Sequence, residues 1–387
     1  MDEHDQRCMD DALALARRVL GRTAPNPAVG AVVVRDGRVV GVGATQPPGG
    51  AHAEVVALAD AGAAARGATL YVTLEPCAHH GRTPPCAEAV IAAGIARCVV
   101  AVADPFPAVA GAGLARLRVA GVRVDVGTGA ADAAALNAGF FARVRSGRPL
   151  VTVKYAMTLD GRIATRSGHS RWISGEASRA FAHVLRDRTD AILVGAGTVV
   201  TDDPVLTTRL PSAAAGDGGP HHPVRVVVDG RGSSPPGARV FDPAQPGRTL
   251  LATTITAPRS WLAALRAQGV DAVVAGAGPR VDLAALFDAL GERGLNTVLV
   301  EGGARIHGAL FDADLVDRVL GIVAPVIVGG DAARGPVGGR GASTMASAQR
   351  LEDVQMRRVG DDVIIEGAIA RRVPRTKEEP HHVHGHR

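Results

Sequence analysis

The chain has 387 residues, of which 47% are hydrophobic and 21% charged, and its formal net charge is +5. This length predicts two or three domains, and the composition is typical of a globular protein and excludes a largely disordered one. No apolar run approaches the roughly 18 residues of a membrane helix, and the acidic start MDEHDQ lacks the apolar segment of a secretory signal, so we expect a cytoplasmic protein.

The positive charge is concentrated at the end of the chain. Residues 371–387 carry five Arg or Lys and two Glu, a net +3, which leaves about +2 for all the rest. Aromatic residues make up only 3% of the chain, which provides few platforms for stacking exposed bases. We therefore expect no nucleic-acid partner and interpret this basic, His-containing tail as disordered.

The first 126 residues predict alternating helices and strands. A helix with apolar residues at helical spacing ends near Gly21, and two strands flank the turn at Asp36-Gly37. The elements predicted next are a helix over 52–65, a strand over 68–75, a helix over 85–93, a strand over 96–104, a helix over 111–120 and a strand over 122–127. This series predicts an α/β fold with a helix-covered sheet.

A second α/β region follows the break at Ser146-Gly147. We predict domains at 1–147 and 148–370, followed by the tail at 371–387. Strand–helix alternation in the second domain is readable as far as the strand NTVLVEGG, residues 296–303. The segment 211–223, rich in proline and glycine, is predicted to be a surface loop.

A His/Glu pair and two cysteines predict a metal site in the first domain. The chain has only four cysteines, too few for a disulfide scaffold. His52 and Glu54 lie at a predicted helix start, and Cys77 and Cys86 follow. A catalytic zinc ion takes three protein ligands and keeps one position for water. His52, Cys77 and Cys86 supply that set, and Glu54 is free to carry a proton from water to a departing ammonia.

The order H-x-E…P-C…C is the zinc-deaminase signature, except that eight residues separate the cysteines here instead of two. Two alternatives stay open at this point. One is a structural zinc site with His79 or His80 as a fourth ligand, in which Glu54 would have no role. The other is no metal at all.

Four segments give the first domain a family resemblance. NPAVG (26–30), HAE (52–54), TLEPCAHHGRTPPC (73–86) and DPFPAVAGAG (104–113) resemble, in order, the deaminase half of the bifunctional riboflavin-biosynthesis deaminase–reductase family. The resemblance implies a cytidine-deaminase-like α/β/α domain acting on a diaminopyrimidinone that carries a ribosylamino 5′-phosphate. It implies Asn26, His79 and Arg82 as substrate contacts. Thr45 departs from the pattern, because the family usually has a histidine there.

The second domain resembles the reductase half of the same family. VGAGTVV (194–200) fails as a dinucleotide fingerprint, since Val200 occupies the third glycine position. VKYAMTLDGRIA, SGHSRWIS, AILVGAGTVVTDDPVLTTR and VEGG nevertheless match the reductase in order, and the whole resemblance spans about residues 9–369. It implies a dihydrofolate-reductase-like α/β fold that uses NADPH to reduce the ribosyl group to ribityl.

The resemblance also implies roles for residues of the second domain. Lys154 and Asp202 correspond to catalytic positions. The substrate-binding positions are Ser170, Arg186, Leu206, Arg209 and Glu301. The cofactor-binding positions are Ala156, Trp172, Thr198, Asp202, Gly303, Ala304, Arg305, Ile306, His307, Gly308 and Ala309. Arg186 and Arg209 would form a phosphate-binding pair. Gly230 replaces a serine common in the family and removes one hydroxyl contact to the cofactor.

The expected protein is thus a two-step enzyme with Zn²⁺ and NADPH, acting on a small molecule and forming a homo-oligomer. The choice of NADPH over NADH and the oligomer rest on the resemblance alone. Three alternatives remain: a deaminase with an inactive reductase-like domain, a nucleic-acid-editing deaminase steered by the basic tail, and a binding module with structural zinc.

Overall fold

The computed structural model describes residues 2–78, 85–106, 110–211 and 214–370. His79, His80, Arg82 and the tail at 371–387, which carry several of the predictions above, lie outside the described residues. Within the described ranges, no helix is both long and apolar enough to cross a membrane.

The first part of the chain forms one five-stranded sheet with helices around it. Its elements are α1 (Glu3–Arg18), β1 (Gly30–Arg35), β2 (Arg38–Ala44), α2 (Ala53–Ala61), β3 (Thr69–Val72), α3 (Cys86–Ala92), β4 (Arg97–Val100), α4 (Ala112–Val119), β5 (Arg123–Val126), α5 (Ala130–Leu136) and α6 (Ala138–Ser146). The strand order is β2-β1-β3-β4-β5, with β1 antiparallel to both neighbours and β3, β4 and β5 parallel. All the predicted elements are present, with bounds shifted by a few residues.

The predicted hairpin has the backbone that a tight turn requires. Asp36 and Gly37, between β1 and β2, have φ angles of 49° and 73°. Two consecutive left-handed residues follow the twist of the flanking strands, and Asp-Gly adopts them with little strain. The turn sets the register of β2 on β1, and the loop that holds Asn26 leads directly into β1.

Helices cover both faces of the first sheet. On one face Val33 and Cys98 belong to the core formed with α2, α3 and α4, whereas Val32 and Tyr71 face the opposite core with α1. Successive strand residues point to opposite faces, so each strand contributes to both cores. The predicted three-layer α/β/α arrangement is confirmed, and Cys98 is fully buried as expected for a core residue.

The second part forms a nine-stranded sheet. Its elements are β6 (Leu150–Thr158), α7 (Glu176–Asp187), β7 (Ala191–Gly195), α8 (Ala196–Asp202), β8 (Val224–Val228), β9 (Thr249–Thr253), α9 (Arg259–Ala267), β10 (Asp271–Val274), α10 (Leu283–Glu292), β11 (Thr297–Gly302), α11 (Ala304–Asp312), β12 (Arg318–Ala324), β13 (Leu351–Val359) and β14 (Asp362–Ile369). The strand order is β10-β9-β8-β7-β11-β6-β12-β14-β13, parallel from β10 to β12. Strand β14 is antiparallel to both β12 and β13.

The sequence did not predict the last three strands. Strand β13, LEDVQMRRV, is exposed along most of its length at the edge of the sheet. Its charged and apolar residues do not alternate regularly, so the pattern that reveals a half-buried strand is weak. The apolar run AILVG of β7, buried on both faces, was predicted correctly. Strand β12, RVLGIVA, is also largely buried, and the sequence analysis missed it.

Helix α6 joins the two domains. Phe140 and Phe141 pack in the core of the first domain, while Gly139 lies against the second. A Cβ at Gly139 would lie only 2.4 Å from Cγ2 of Thr297, so only glycine permits this approach. The helix ends at Ser146, and Gly147 has a φ of 80°. We keep residue 147 as the proposed domain boundary.

The described part of the predicted surface loop at 211–223 forms an interdomain contact. The Arg22 guanidinium donates to Oδ1 of Asp187 at 2.9 Å and to the carbonyl of Gly219 at 2.7 Å. Both side chains of the Arg22–Asp187 pair are largely buried, whereas the nearby pair between Arg18 and Asp217 is exposed. For the described residues 211 and 214–223 the prediction of a loop is confirmed, but part of this loop packs on the first domain.

Candidate active sites

The first candidate site lies where α2 and α3 begin. His52 immediately precedes α2 in an extended conformation, with φ −75° and ψ 160°, and Glu54 lies in the first turn. Cys77 follows β3, and Cys86 is the first residue of α3. The irregular entry to α2 therefore lets His52 and Glu54 reach one site although they are only two residues apart.

The three predicted metal ligands converge. Nδ1 of His52 lies 3.2 Å from Sγ of Cys86 and 3.7 Å from Sγ of Cys77. The ligand atoms of His52, Cys77 and Cys86 all lie within 4.8 Å of one another. One imidazole nitrogen and two thiol sulfurs form a set that suits zinc, and three protein ligands leave one position for water. The residues present therefore fit the metal.

The pKa values of the two thiols are shifted in opposite directions. Contact with Cys86 lowers the pKa of Cys77 to about 4; burial opposes this decrease, and contact with His52 adds to it. Contact with Cys77 and burial raise the pKa of Cys86. A thiolate, which is the metal-binding form of cysteine, is therefore favoured at Cys77 even without a metal ion.

Glu54 is buried beside these ligands with one oxygen unpaired. Its exposed fraction is 3%, and among the described residues Oε2 has no hydrogen-bond partner. Burial raises the pKa of Glu54 to about 7. A buried polar atom without a partner is costly in a purely structural position. This arrangement favours a carboxylate that exchanges a proton over a structural metal site.

A cavity of about 570 Å³ opens onto Glu54 and the ligands His52 and Cys77. Its lining also includes Asn26, one of the predicted substrate contacts, and Thr45. The Thr45 hydroxyl accepts the backbone N–H of Val29 at 3.1 Å, so the residue that departs from the family pattern is tied to the wall of the cavity.

Sequence reasoning missed Glu75, which lines the same cavity. Its carboxylate accepts backbone N–H groups from Asp104 at 3.1 Å, Gly111 at 3.0 Å, Gly113 at 2.9 Å and Leu114 at 3.2 Å. Glu75 thereby fixes the segment that carries Asp104 to this wall. Its position two residues before Cys77 was the available signal.

The second candidate site joins two neighbouring strands and a helix. Lys154 lies on β6, Glu301 on β11 and Arg186 on α7. Nε and Nη2 of Arg186 donate to the two carboxylate oxygens of Glu301 at 2.9 and 2.8 Å, and Nζ of Lys154 lies 3.9 Å from Oε2. Burial alone would raise the pKa of Glu301, but the two cations outweigh it and hold that pKa at about 2.

The two predicted phosphate-binding arginines differ in how they are engaged. Besides its two bonds to Glu301, Arg186 donates to the carbonyl of Thr207 at 3.1 Å. Arg209 is exposed, and in the described parts of the chain its guanidinium makes no hydrogen bond or ion pair. Arg209 is therefore the arginine of this pair whose guanidinium is available to bind a phosphate.

His183 was not predicted and supports Arg209. Nδ1 of His183 accepts the backbone N–H of Arg209 at 3.2 Å. Burial and the neighbouring charge of Arg186 lower the pKa of His183 to about 4. The imidazole is therefore neutral at pH 7 and presents its Nε2 as a donor. Its spacing of one helical turn from Arg186 was the available signal.

The turn between β11 and α11 lies close to α8. A Cβ at either Gly302 or Gly303 would lie 3.4 Å from Oγ1 of Thr198. Helix α11 begins after Gly303 without a side-chain cap, which leaves backbone N–H groups for an anion. Glycine backbone, a hydroxyl and free N–H groups fit the phosphates of a nicotinamide dinucleotide.

Two residues of the predicted cofactor stretch face the protein interior. His307 is 2% exposed, and its Nδ1 lies 2.9 Å from the carbonyl of Pro336. A Cβ at Gly308 would lie 2.2 Å from the carbonyl carbon of Gly338. The inner face of α11 therefore packs on the segment after β12.

Asp202 belongs to a different group of contacts from Lys154. It is the last residue of α8, and its carbonyl accepts Nη2 of Arg171 at 2.6 Å. No hydrogen bond or ion pair joins Asp202 to Lys154 in the part of the chain that the structure describes. Trp172 is 69% exposed, with the Arg179 guanidinium 4.7 Å from its ring centroid.

The remaining predicted positions have distinct environments. Leu206 is buried with a φ of 60°, a left-handed conformation unusual for leucine. Ala156, on β6, is half-buried beside the core formed by β12 and β14. Ser170 lies in the segment before α7. A Cβ at Gly230 would lie 2.7 Å from the carbonyl of Pro279, so a serine does not fit here unless that segment moves.

Comparisons with known proteins cover both domains. The family model of the cytidine and deoxycytidylate deaminase zinc-binding region matches residues 2–102, and that of the RibD C-terminal domain matches residues 149–365. The riboflavin biosynthesis protein RibD of Escherichia coli is 41% identical over 367 residues, which are 93% of this chain and 98% of that protein.

Solved structures agree over the same length. RibD of Acinetobacter baumannii is 36% identical with a TM-score of 0.85, and it covers 95% of this chain and 99% of its own. A diaminohydroxyphosphoribosylaminopyrimidine deaminase/5-amino-6-(5-phosphoribosylamino)uracil reductase of Thermotoga maritima is 34% identical with a TM-score of 0.81 and the same coverage. The chain carries both domains in the same order and therefore belongs to the RibD family of bifunctional riboflavin-biosynthesis enzymes, with a zinc-binding deaminase domain and a reductase domain.

Proposed function

We propose that this enzyme deaminates 2,5-diamino-6-ribosylamino-4(3H)-pyrimidinone 5′-phosphate by hydrolysis and then reduces the ribosyl group of the product to ribityl with NADPH. One observation carries the first step: His52, Cys77 and Cys86 converge beside a cavity that Glu54 also lines, and the buried Oε2 of Glu54 has no hydrogen-bond partner among the described residues. The substrate corresponds to the name of the similar Thermotoga maritima protein.

In the deaminase step, His52, Cys77 and Cys86 would hold zinc, and Glu54 would move the proton. When bound, zinc supplies the Lewis acidity that makes water nucleophilic at neutral pH. Oε2 of Glu54 takes one proton from the attacking water and delivers it to the amino group, which leaves as ammonia. The second water proton passes to the adjacent ring nitrogen, and the ring carbon becomes a carbonyl. Asn26, His79 and Arg82 are the proposed contacts to the substrate.

In the reductase step, the protein would mainly bind and orient. When bound, NADPH supplies the hydride, which adds to C1′ of the opened sugar while the attached nitrogen gains a proton. Asp202, whose pKa is raised by burial, is the proposed proton donor, and Lys154 is proposed to act beside it. Glu301 orients Lys154 and Arg186, and Arg209, with its free guanidinium, suits the substrate phosphate. Ser170 and Leu206 complete the proposed substrate contacts.

The proposed cofactor site is centred on the turn between β11 and α11. Its proposed members are Ala156, Trp172, Thr198, Asp202 and the stretch Gly303, Ala304, Arg305, Ile306, His307, Gly308 and Ala309. The close approach of Thr198 to Gly302 and Gly303 supports this assignment. The preference for NADPH over NADH is proposed by resemblance.

A coupled assay tests both steps at once. Zinc-loaded protein is mixed with the diaminopyrimidinone substrate and NADPH, and ammonia and NADPH absorbance are followed in parallel. Glu54→Gln is expected to lower ammonia release by about 10²–10⁴-fold while zinc content is retained. Asp202→Ala is expected to leave ammonia release intact and to stop NADPH oxidation. Ammonia without NADPH oxidation in the wild type would contradict the second step, and no ammonia would contradict the first.

We also propose a cytoplasmic homo-oligomer. Val354 and Met356, which are 51% and 67% exposed, place apolar side chains along the edge strand β13, where a second copy would cover them. Light scattering during gel filtration measures the mass directly, and a monomer at micromolar concentration would contradict this part of the proposal.

A further inference from the structure

Arg143 places a positive charge on the wall of the deaminase cavity. It lies on α6, after the last strand of the first sheet, and lines the cavity together with Asn26, Glu54 and Phe140. Among the described residues that line this cavity, Arg143 is the single arginine or lysine. Neither its spacing nor a motif marked it in the sequence.

The Arg143 guanidinium is held on one side by both domains. Nε donates to Oδ1 of Asn296 at 2.7 Å, and Nη2 donates to the carbonyl of Pro25 at 2.8 Å. The carbon at the centre of the guanidinium lies 5.8 Å from the ring centroid of Phe140. Its position is thus set by the aromatic ring and by two fixed acceptors, which leaves little freedom to move.

Asn296 is itself fixed by the second domain. It immediately precedes β11, and its backbone N–H donates to Oδ2 of Asp190 at 2.8 Å. The same carboxylate oxygen accepts the backbone N–H of Thr297 at 2.9 Å and its hydroxyl at 3.1 Å. Asp190 immediately precedes β7, the neighbour of β11 in the sheet. The reductase domain therefore determines where the Asn296 amide presents its oxygen to Arg143.

The guanidinium keeps donors for a ligand. Within the described chain, Nη1 of Arg143 makes no hydrogen bond, and Nη2 uses one of its two hydrogens for Pro25. A guanidinium has five N–H donors arranged to meet an oxyanion at two points. The proposed substrate carries one strongly anionic group, its 5′-phosphate.

We infer that Arg143 binds the phosphate of the substrate in the deaminase site, and that Asn296 of the reductase domain is the positioning residue that orients it. The inference rests on the proposed deaminase function and adds a residue pair to it. A guanidinium that served only to join the domains would not need to line the cavity or keep a free edge. The first reaction would then depend on a side chain of the second domain.

Arg143→Ala tests the phosphate contact, with Arg145→Ala as the matched control. Arg145 lies on the same helix and stacks on the adjacent ring of Phe141 at 5.7 Å, but it is exposed and does not line the cavity. Loss of one charge-assisted contact raises KM about 10- to 100-fold. We expect that increase for ammonia release in Arg143→Ala, with kcat nearly unchanged, a smaller increase in Arg143→Lys and none in Arg145→Ala.

A second substrate distinguishes phosphate binding from general damage to the wall. With the dephosphorylated substrate, Arg143→Ala is expected to retain the kcat/KM of the wild type. An equal loss with both substrates, or an unchanged KM with the phosphorylated one, would overturn the inference. NADPH oxidation with the deaminated intermediate, measured on the same samples, reports whether each variant is folded.

Asn296→Ala tests the positioning role. We expect it to raise the KM for deamination in the same direction as Arg143→Ala, and the double variant to add little to the single ones, because the two residues act as one unit. Full additivity of the two effects would overturn the positioning role. If the wild type released no ammonia from the phosphorylated substrate, the proposed deaminase function would be contradicted. If the wild type were active and Arg143→Ala had the same activity, only the inference about Arg143 would be contradicted.

Discussion

The two candidate sites are assembled over very different lengths of chain. The deaminase ligands His52 and Cys86 are separated by 34 positions, and both lie at helix starts beside one short sheet. The pair Arg186–Glu301 spans 115 positions, and the strand order β7-β11-β6 inserts β11, which carries Glu301, between β6 and the strand that follows α7. The first site can therefore be predicted from a sequence motif. The second site exists only because the order of strands in the sheet brings distant residues together.

The sites also use their buried carboxylates in opposite ways. Glu54 keeps an unpaired oxygen and a pKa of about 7, whereas Glu301 is paired with Arg186 and Lys154 and has a pKa of about 2. A carboxyl group that titrates near neutral pH can carry a proton, and one that stays ionised can only hold cations in place. The comparison predicts a chemical role for Glu54 and a positioning role for Glu301.

Removal of the metal should affect the first site alone. Chelation of zinc, or Cys77→Ser, is expected to reduce ammonia release to background because the ligand set is lost. NADPH oxidation with the deaminated intermediate should continue at the rate of the wild type. Parallel ammonia and absorbance assays measure both, and an equal loss of the two activities would show that the sites are not separate.

Glu301→Gln should damage the second site and the stability of its domain. Removing one partner of a buried ion pair costs about 3–5 kcal/mol, because Arg186 and Lys154 are left as uncompensated charges. We expect NADPH oxidation to be lost, ammonia release to persist and the free energy of unfolding to fall.

The matched control is Glu366→Gln. Its partner Arg357 is 40% exposed at the side chain, so the loss should be at most about 1 kcal/mol. Urea unfolding compares the two variants, and equal losses would contradict the special position of Glu301.

Arg22→Ala should weaken the contact between the domains. Its guanidinium bonds to Asp187 and Gly219 and is 11% exposed at the side chain, so we expect a loss of about 2–3 kcal/mol. Arg18→Ala, which removes an exposed pair with Asp217, should cost at most about 1 kcal/mol. Calorimetry should resolve two transitions in Arg22→Ala if the domains separate, and one unchanged transition would contradict the prediction.

The last prediction concerns the pH dependence of His221, next to this contact. Burial and the charge of Arg22 lower the pKa of His221 from 6.5 to about 4. The unfolded chain therefore binds the proton more tightly, and stability is lost as the pH falls from about 6.5 to about 4. His221→Gln is expected to flatten the dependence of the unfolding free energy on pH in this window. If the unfolding free energy of the variant depended on pH as steeply as that of the wild type, groups other than His221 would cause the pH dependence.

The sequence predicted most of the fold where periodicity was strong. The apolar runs of β1, β7 and β11 and the helical spacing in α1 identified elements that the structure confirms. The edge strand β13 was not predicted, because most of its residues are exposed to solvent and its sequence therefore has no regular apolar pattern. The zinc ligands and Glu54 were predictable because residue type, order and local backbone already constrain them.

Tertiary structure alone decided the rest. Arg143 and Asn296 are 153 positions apart, and neither carries a motif, so only the docking of α6 on the second sheet brings them together. The same holds for His183 with Arg209 and for Arg22 with Asp187. A hydrogen bond depends on where distant backbone segments are placed, and that placement depends on the packing of whole cores. Local sequence determined which residues are capable of the chemistry, and the fold decided which of them meet.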